Sequence, residues 1–171
     1  MTGIVSYGAY VPYWRLPRSA IAGSLGSGGG KGTRSVASFD EDTTSLGVEA
    51  ARVALRAAPD GYHPSSLWFS TTEPAYLDKT NANAIHAALA LPSSVATVDA
   101  IGSVRSGAGA ATAARLSDGL VVLSDIRTGL PGSADESAGG DAAVAIAYGD
   151  GPGVIAEFVG GATSTGEFLD R

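Results

Sequence analysis

Residues 96–116, ATVDAIGSVRSGAGAATAARL, constrain the fold more than any other stretch. A short apolar run ends at Asp99, passes through a Gly/Ser turn and becomes a helix built almost wholly of Gly, Ala and Ser. Such a helix has little side chain to bury and no wide polar face. It is stable only where other backbone packs close against it, because small residues permit near approach. Its first turn, around residues 103–106, directs unpaired N–H groups and a partial positive charge outward. A strand feeding a buried helix through a tight turn is a setting for a nucleophile. The residue at that position is Val104, which has no nucleophilic chemistry.

The rest of the chain supplies the layers this helix needs. A strand is expected over residues 3–10, then an extended connection bracketed by Pro12 and Pro17 and a short helix over 18–25. The segment GSGGGKG at 26–32 looks superficially like a phosphate loop. It lacks the earlier glycine, and Gly32 follows Lys31 where Ser or Thr is required, so it reads as a flexible loop. Apolar positions at Leu46, Val48, Ala50, Ala51, Val53, Ala54 and Leu55 predict an amphipathic helix over 44–58, with acidic residues 40–42 at its N-terminus. Strands follow at 66–72, 95–101 and 119–126, with a helix at 80–91. The continuous apolar run GLVVLSDI suits a buried parallel strand. Residues 127–140 read as a polar loop, and 142–148 and 153–159 as two adjacent strands. The alternation implies α/β, with a mostly parallel sheet, helices on both faces and an antiparallel end.

Composition narrows the function. A hydrophobic fraction of 44% and a charged fraction of 16% describe a globular chain of 171 residues, enough for one domain. The net charge of −6, with no basic cluster, argues against a nucleic-acid groove. Cysteine is absent, which excludes disulfides, thiol nucleophiles and cysteine metal sites; no metal is expected. The N-terminus does not read as a signal peptide, and no apolar run reaches the ~18 residues of a membrane span. A cytoplasmic protein with no membrane partner is the expectation.

Six stretches in order carry a resemblance. They are GIVSYGAYVPYWRL, FDEDTTSLGVEAARVAL, STTEPAYLDKTNANAIHAAL, VDAIGSVRSGAGAA, LSDIRTGLPGSADESAGGDAAVA and GATSTGEFLDR. Together they resemble the N-terminal half of 3-hydroxy-3-methylglutaryl-CoA synthase in the thiolase superfamily, especially its archaeal and actinobacterial branch. The resemblance implies half of a thiolase-like fold, a five-stranded mixed sheet with helices on both faces. It takes residues 1–171 as one such half domain, with no second domain in the chain. It implies two halves stacked around central helices, so another layer is expected from a homo-oligomer, a second thiolase-like chain or a missing C-terminal part. An OB-fold protein with a zinc ribbon is a further partner that some thiolase-like complexes use.

The same resemblance assigns residues. Glu73 matches the family's general acid/base. Val104 stands where the family keeps its nucleophilic cysteine, with Ser103, Arg105, Ser106 and Gly107 beside it. The family histidine lies in the C-terminal half; His63 and His86 do not match it. Valine accepts no acyl group, so the family's route through a covalent acyl-enzyme is closed to this chain alone. Ser103 and Ser106 read as helix-capping or close-contact residues. A carboxylate at Glu73 in an apolar pocket would suit proton transfer at carbon next to a thioester; the plainer reading is a loop carboxylate with ordinary hydrogen bonds. Asp99 is read as capping or orienting the turn before the small-residue helix, and Asp78 with Lys79 as a charge pair at a helix start. Lys31 and Arg34 are candidate contacts for coenzyme A phosphates, or simply loop cations.

The implied function is an acyl-CoA-handling subunit that acts on a carbon–carbon bond next to a CoA thioester, aldolase-like and without a covalent acyl-enzyme. The thioester is substrate, and no bound cofactor is expected. The alternatives are a non-catalytic scaffold subunit, or a truncated synthase-like acyltransferase completed by a second chain.

Overall fold

The computed structural model describes residues 2–26 and 30–166. Residues 27–29 of the glycine-rich loop and 167–171 of the last matching stretch lie outside the described residues. The elements run β1 (Gly3–Tyr10), β2 (Trp14–Pro17), α1 (Arg18–Leu25), β3 (Thr33–Val36), α2 (Thr43–Ala57), β4 (Ser66–Ser70), α3 (Asn81–Ala88) and β5 (Ala96–Asp99). They continue with α4 (Val104–Leu116), β6 (Leu120–Asp125), α5 (Ala134–Ala138), β7 (Ala142–Gly149) and β8 (Ala156–Glu157).

The main sheet has six strands in the order β5-β4-β6-β7-β1-β8. This is a mixed sheet with helices on both faces, and it carries one strand more than the expected five. The sixth strand is β8, which pairs only through Gly3↔Glu157 and Ile4↔Ala156. It does not lie beside β7 as the tight connection suggested, because β1 inserts between them. The parallel part is confined to β5-β4-β6, and every other pairing is antiparallel. A second sheet pairs β2, within the expected extended connection, with β3, a stretch after the glycine-rich loop for which no element was expected. Inside the expected polar loop, α5 begins where the Ser133 hydroxyl accepts the Glu136 N–H at 3.2 Å.

Alternation along the central strands sorts the core into two layers. Leu67, Phe69, Leu120 and Val122 face one side, with Leu46, Ala50, Ala51 and Ala54 of α2 and Ile85 of α3. Trp68, Val121 and Leu123 face the other, with Ala110 and Ala114 of α4. β6 is thus covered on both faces, which accounts for its unbroken apolar run although one neighbour is antiparallel. A capping box starts α2: the Asp42 carboxylate accepts the Ser45 N–H at 2.7 Å, and the Ser45 hydroxyl accepts the Asp42 N–H at 2.8 Å. The small residues of α2 let its backbone approach β1, where the Ser6 hydroxyl donates to the Ala54 carbonyl at 2.8 Å.

On the other face, α4 buries only Ala110 and Ala114. Its outward residues, including Val104, Arg105, Ala108, Gly109, Thr112 and Leu116, are exposed in this chain. Among the described residues no helix is long and apolar enough to cross a membrane.

Candidate functional site

The C-terminal ends of the parallel strands converge on one edge, where ligands of α/β sheets gather. β4 leads into Thr71, Thr72 and Glu73, and β5 leads through residues 100–103 into α4. The two connections are hydrogen-bonded together. Ala100 N–H donates to the Phe69 carbonyl at 2.7 Å, Gly102 N–H to the Thr71 carbonyl at 3.2 Å, and the Ser70 hydroxyl to the Ala100 carbonyl at 2.7 Å. Gly102 has φ 113°, a conformation that glycine adopts without strain, and this turns the chain into the helix. Glu73 and Val104 therefore stand on the same edge of the sheet, each two residues past a bonded anchor.

The main chain of Glu73 is held on both sides. Its N–H donates to the Thr71 hydroxyl oxygen at 3.0 Å, and its carbonyl accepts the Thr43 hydroxyl at 2.8 Å. Thr71 and Thr72 are in turn fixed by one oxygen of Asp125 at the end of β6. That oxygen accepts the Thr71 hydroxyl at 3.1 Å, the Thr72 N–H at 2.7 Å and the Thr72 hydroxyl at 2.9 Å. The carboxylate of Glu73 is exposed in this chain, so the expected apolar enclosure is not supplied by these residues. It borders two adjoining hollows of about 300 and 350 Å³ that share Ile126 and Thr128. Glu41, Asp42, Thr43 and Ala75 line one; Arg127, Gly129, Leu130 and Asp135 line the other.

Arg127 is the cation of this cleft. Its guanidinium donates to the Asp135 carboxylate at 2.9 Å and to the Thr72 hydroxyl oxygen at 3.5 Å. The hydrogen bond and charge of Asp135 hold that guanidinium above its ordinary pKa, with smaller contributions from Asp125 and Glu73.

Val104 is the first residue of α4 and is 75% exposed. Ser103 occupies the cap position but makes no side-chain capping bond; its hydroxyl lies 3.3 Å from that of Ser106. Arg105 is exposed. Gly107 marks the close approach of α4 to the sheet, since a Cβ there would sit 3.4 Å from Leu123 Cδ2.

The other sequence candidates go elsewhere. Arg34 is buried: its guanidinium pairs with Asp141 at 3.3 Å and donates to the carbonyls of Glu136 at 2.8 Å, Asp135 at 3.3 Å and Arg127. This internal engagement corrects its reading as a loop cation facing phosphates. Lys31 is exposed beside the glycine-rich loop. Asp99 caps α3 rather than the turn before α4, because β5 ends beside the start of that helix. Its carboxylate accepts Asn81 N–H and Ala82 N–H, each at 2.7 Å, and Asn81 Nδ2 at 3.0 Å. Asp78 and Lys79 form no ion pair among the described residues; the Lys79 ammonium lies 3.7 Å from the centre of the Tyr76 ring. His63 is exposed, and His86 Nε2 lies 3.0 Å from the Pro92 carbonyl oxygen at the end of α3. Among the described residues no cluster of His, Cys, Asp or Glu could hold a metal ion.

Asp125, Arg127 and Asp141 escaped the sequence reading. One signal was available for the first: an aspartate ends the strand that lies parallel to β4, so it must meet the segment leading to Glu73.

No family model matches the sequence. The hydroxymethylglutaryl-CoA synthase of Methanocaldococcus jannaschii is 32% identical over 177 residues, covering 94% of this chain and 50% of the relative. That of Methanocella arvoryzae is 28% identical over 185 residues, covering 99% of this chain and 53% of the relative. The chain thus spans about half the length of these curated relatives. A solved structure of HMG-CoA synthase complexed with CoA superposes with a TM-score of 0.77 at 21% identity, over 86% of this chain and 41% of the other. By sequence and fold, the chain is hydroxymethylglutaryl-CoA synthase-like and corresponds to the N-terminal half of that thiolase-type architecture.

Proposed function

We propose that this chain is an acyl-CoA-handling subunit that makes or breaks a carbon–carbon bond next to a CoA thioester, without a covalent acyl-enzyme. The observation that carries the reading is the Gly102–Thr71 hydrogen bond, which ties the Glu73 loop to the start of α4; the resemblance puts Val104 there in the place of a nucleophile. In the cleavage direction, the Glu73 carboxylate takes the proton of the β-hydroxyl. The Cα–Cβ bond breaks, a carbonyl forms at Cβ, and the electron pair passes to the thioester as an enolate. The first-turn N–H groups of α4 are donors of the kind that stabilise such an oxygen. Return of the proton to Cα completes an acyl-CoA, and the aldol direction is the reverse. No step needs a side-chain nucleophile.

The exposed outer face of α4 supports a covering layer from a second thiolase-like half, in another copy, another chain or a further part of a longer chain. That layer would also enclose Glu73. An OB-fold, zinc-ribbon partner is a further possibility carried only by the resemblance.

The test is turnover of a β-hydroxyacyl-CoA by the chain with its completing partner. Glu73→Gln should abolish it, and Val104→Ala should leave it intact. Loss in both, or in neither, contradicts the reading. The exposure of the Glu73 carboxylate favours one second reading, a non-catalytic scaffold. In that case a complex active on CoA thioesters keeps its activity in Glu73→Gln, and the chain binds coenzyme A only when mixed with the second protein.

A further inference from the structure

We propose that Arg127 is a specificity-determining residue of the Glu73 cleft, a fixed cation that selects CoA thioesters whose acyl group carries a carboxylate. The proposal rests on the reading of that cleft as a thioester site.

The buried Arg34–Asp141 pair is built around the main chain of Arg127. Asp141 Oδ1 accepts the Arg127 N–H at 2.9 Å, and Arg34 donates to the Arg127 carbonyl. The other Asp141 oxygen accepts the Ala37 N–H at 2.8 Å, so β3 and the Arg127 segment share one anchor. The two charged side chains are 5% and 3% exposed. Desolvating such a pair is costly unless hydrogen bonds satisfy it. Here those bonds fix both polar backbone groups of a single residue, and that residue lines the same hollow as Glu73, with its guanidinium on the Asp135 carboxylate that also lines it.

The guanidinium is not consumed there. Its ion-pair partner Asp135 is 58% exposed, and its contact with Thr72 is long at 3.5 Å. A planar fork with five donors can hold a second carboxylate while keeping the first. The surroundings favour a singly charged carboxylate over phosphate, because Glu73 and Asp135 line the same hollow and would repel a multiply charged group. Ile126 and Leu130 supply apolar wall for the intervening carbons.

The experiment is calorimetric binding of glutaryl-CoA and pentanoyl-CoA to the full chain co-purified with its partner. These probes match in chain length and differ in a terminal carboxylate against a methyl. The wild type should prefer glutaryl-CoA by about tenfold or more, the scale of one charge-assisted hydrogen-bonded pair. Arg127→Gln should bring the ratio near one by weakening glutaryl-CoA alone. Arg127→Lys should keep part of the preference, which separates loss of charge from a folding defect. Equal binding of both probes by the wild type overturns the proposal. So does a parallel loss for both in Arg127→Gln, the signature of a contact with the phosphates of coenzyme A. Binding of neither probe overturns the thioester reading of the cleft and this proposal with it; the first two outcomes leave that reading standing.

Discussion

The N–H of Gly102 donates to the carbonyl of Thr71 at 3.2 Å, although the two residues belong to connections that leave different strands. One bond thus couples the position of a carboxylate to that of a helix start. The packing and caps around those two loops can be tested separately.

Close packing of α2 on β1 depends on Gly8. A Cβ at that position would lie 2.3 Å from the Ala50 carbonyl oxygen and 2.4 Å from the Ala54 nitrogen, both helix backbone that cannot swing aside. Gly8→Ala should therefore destabilise the chain by about 3 kcal/mol or more, the cost of severe overpacking. Urea denaturation followed by circular dichroism measures it. A loss below about 1 kcal/mol would mean that the helix stands off the strand.

Asp99 replaces the cap that Thr80 does not provide. Thr80 makes no side-chain capping bond, whereas Asp99 reaches the first N–H groups of α3 from β5. Asp99→Ala should cost about 1–3 kcal/mol, since it orphans several donors at once. Hydrogen exchange should show the loss concentrated in residues 81–85. Uniform loosening of the whole sheet would contradict the assignment.

Asp42 makes stability depend on pH. Burial pushes its carboxyl up, but hydrogen bonds from the Thr44 hydroxyl and from the Ser45 N–H and hydroxyl outweigh burial and hold it below its ordinary value. A carboxyl whose pKa is lower in the folded state binds protons more weakly there. Its contribution is present above the unfolded value, about 3.9, and is lost as pH falls through the folded value. The stability gap between wild type and Asp42→Ala should be full near neutral pH, on the order of 1 kcal/mol, and should shrink below about pH 4. Chemical denaturation across that range checks the sign; a gap that widens in acid would refute it.

How much was legible follows from how far each signal extends along the chain. β1, α2 and β6 were readable because eight, fifteen and six residues keep one periodicity or one apolar run. β2 was not, because all four of its residues are exposed and carry no buried–exposed alternation. The strand expected over 153–159 shrinks to the two residues of β8, and its place beside β1 depends on pairing that local sequence does not encode. Motif order offered Glu73 and Val104 as candidates, while the groups that hold the cleft were hidden by distance. Arg34 and Asp141 are 107 residues apart, and only the fold shows that a loop cation is the buried clamp on Arg127. Asp99 was recognised as a cap but given to the wrong helix, because the nearer helix in sequence is not the one its side chain meets.

In the proposed reaction Val104 leaves no acyl-enzyme and Glu73 carries the proton transfer. Intact-mass spectrometry of the complex, acid-quenched during turnover of an acyl-CoA, tests it most directly. The wild-type chain should keep its unmodified mass, and Val104→Cys, placing a thiol at a helix N-terminus, should gain the mass of the acyl group. An acyl adduct on the wild-type chain during turnover would contradict it.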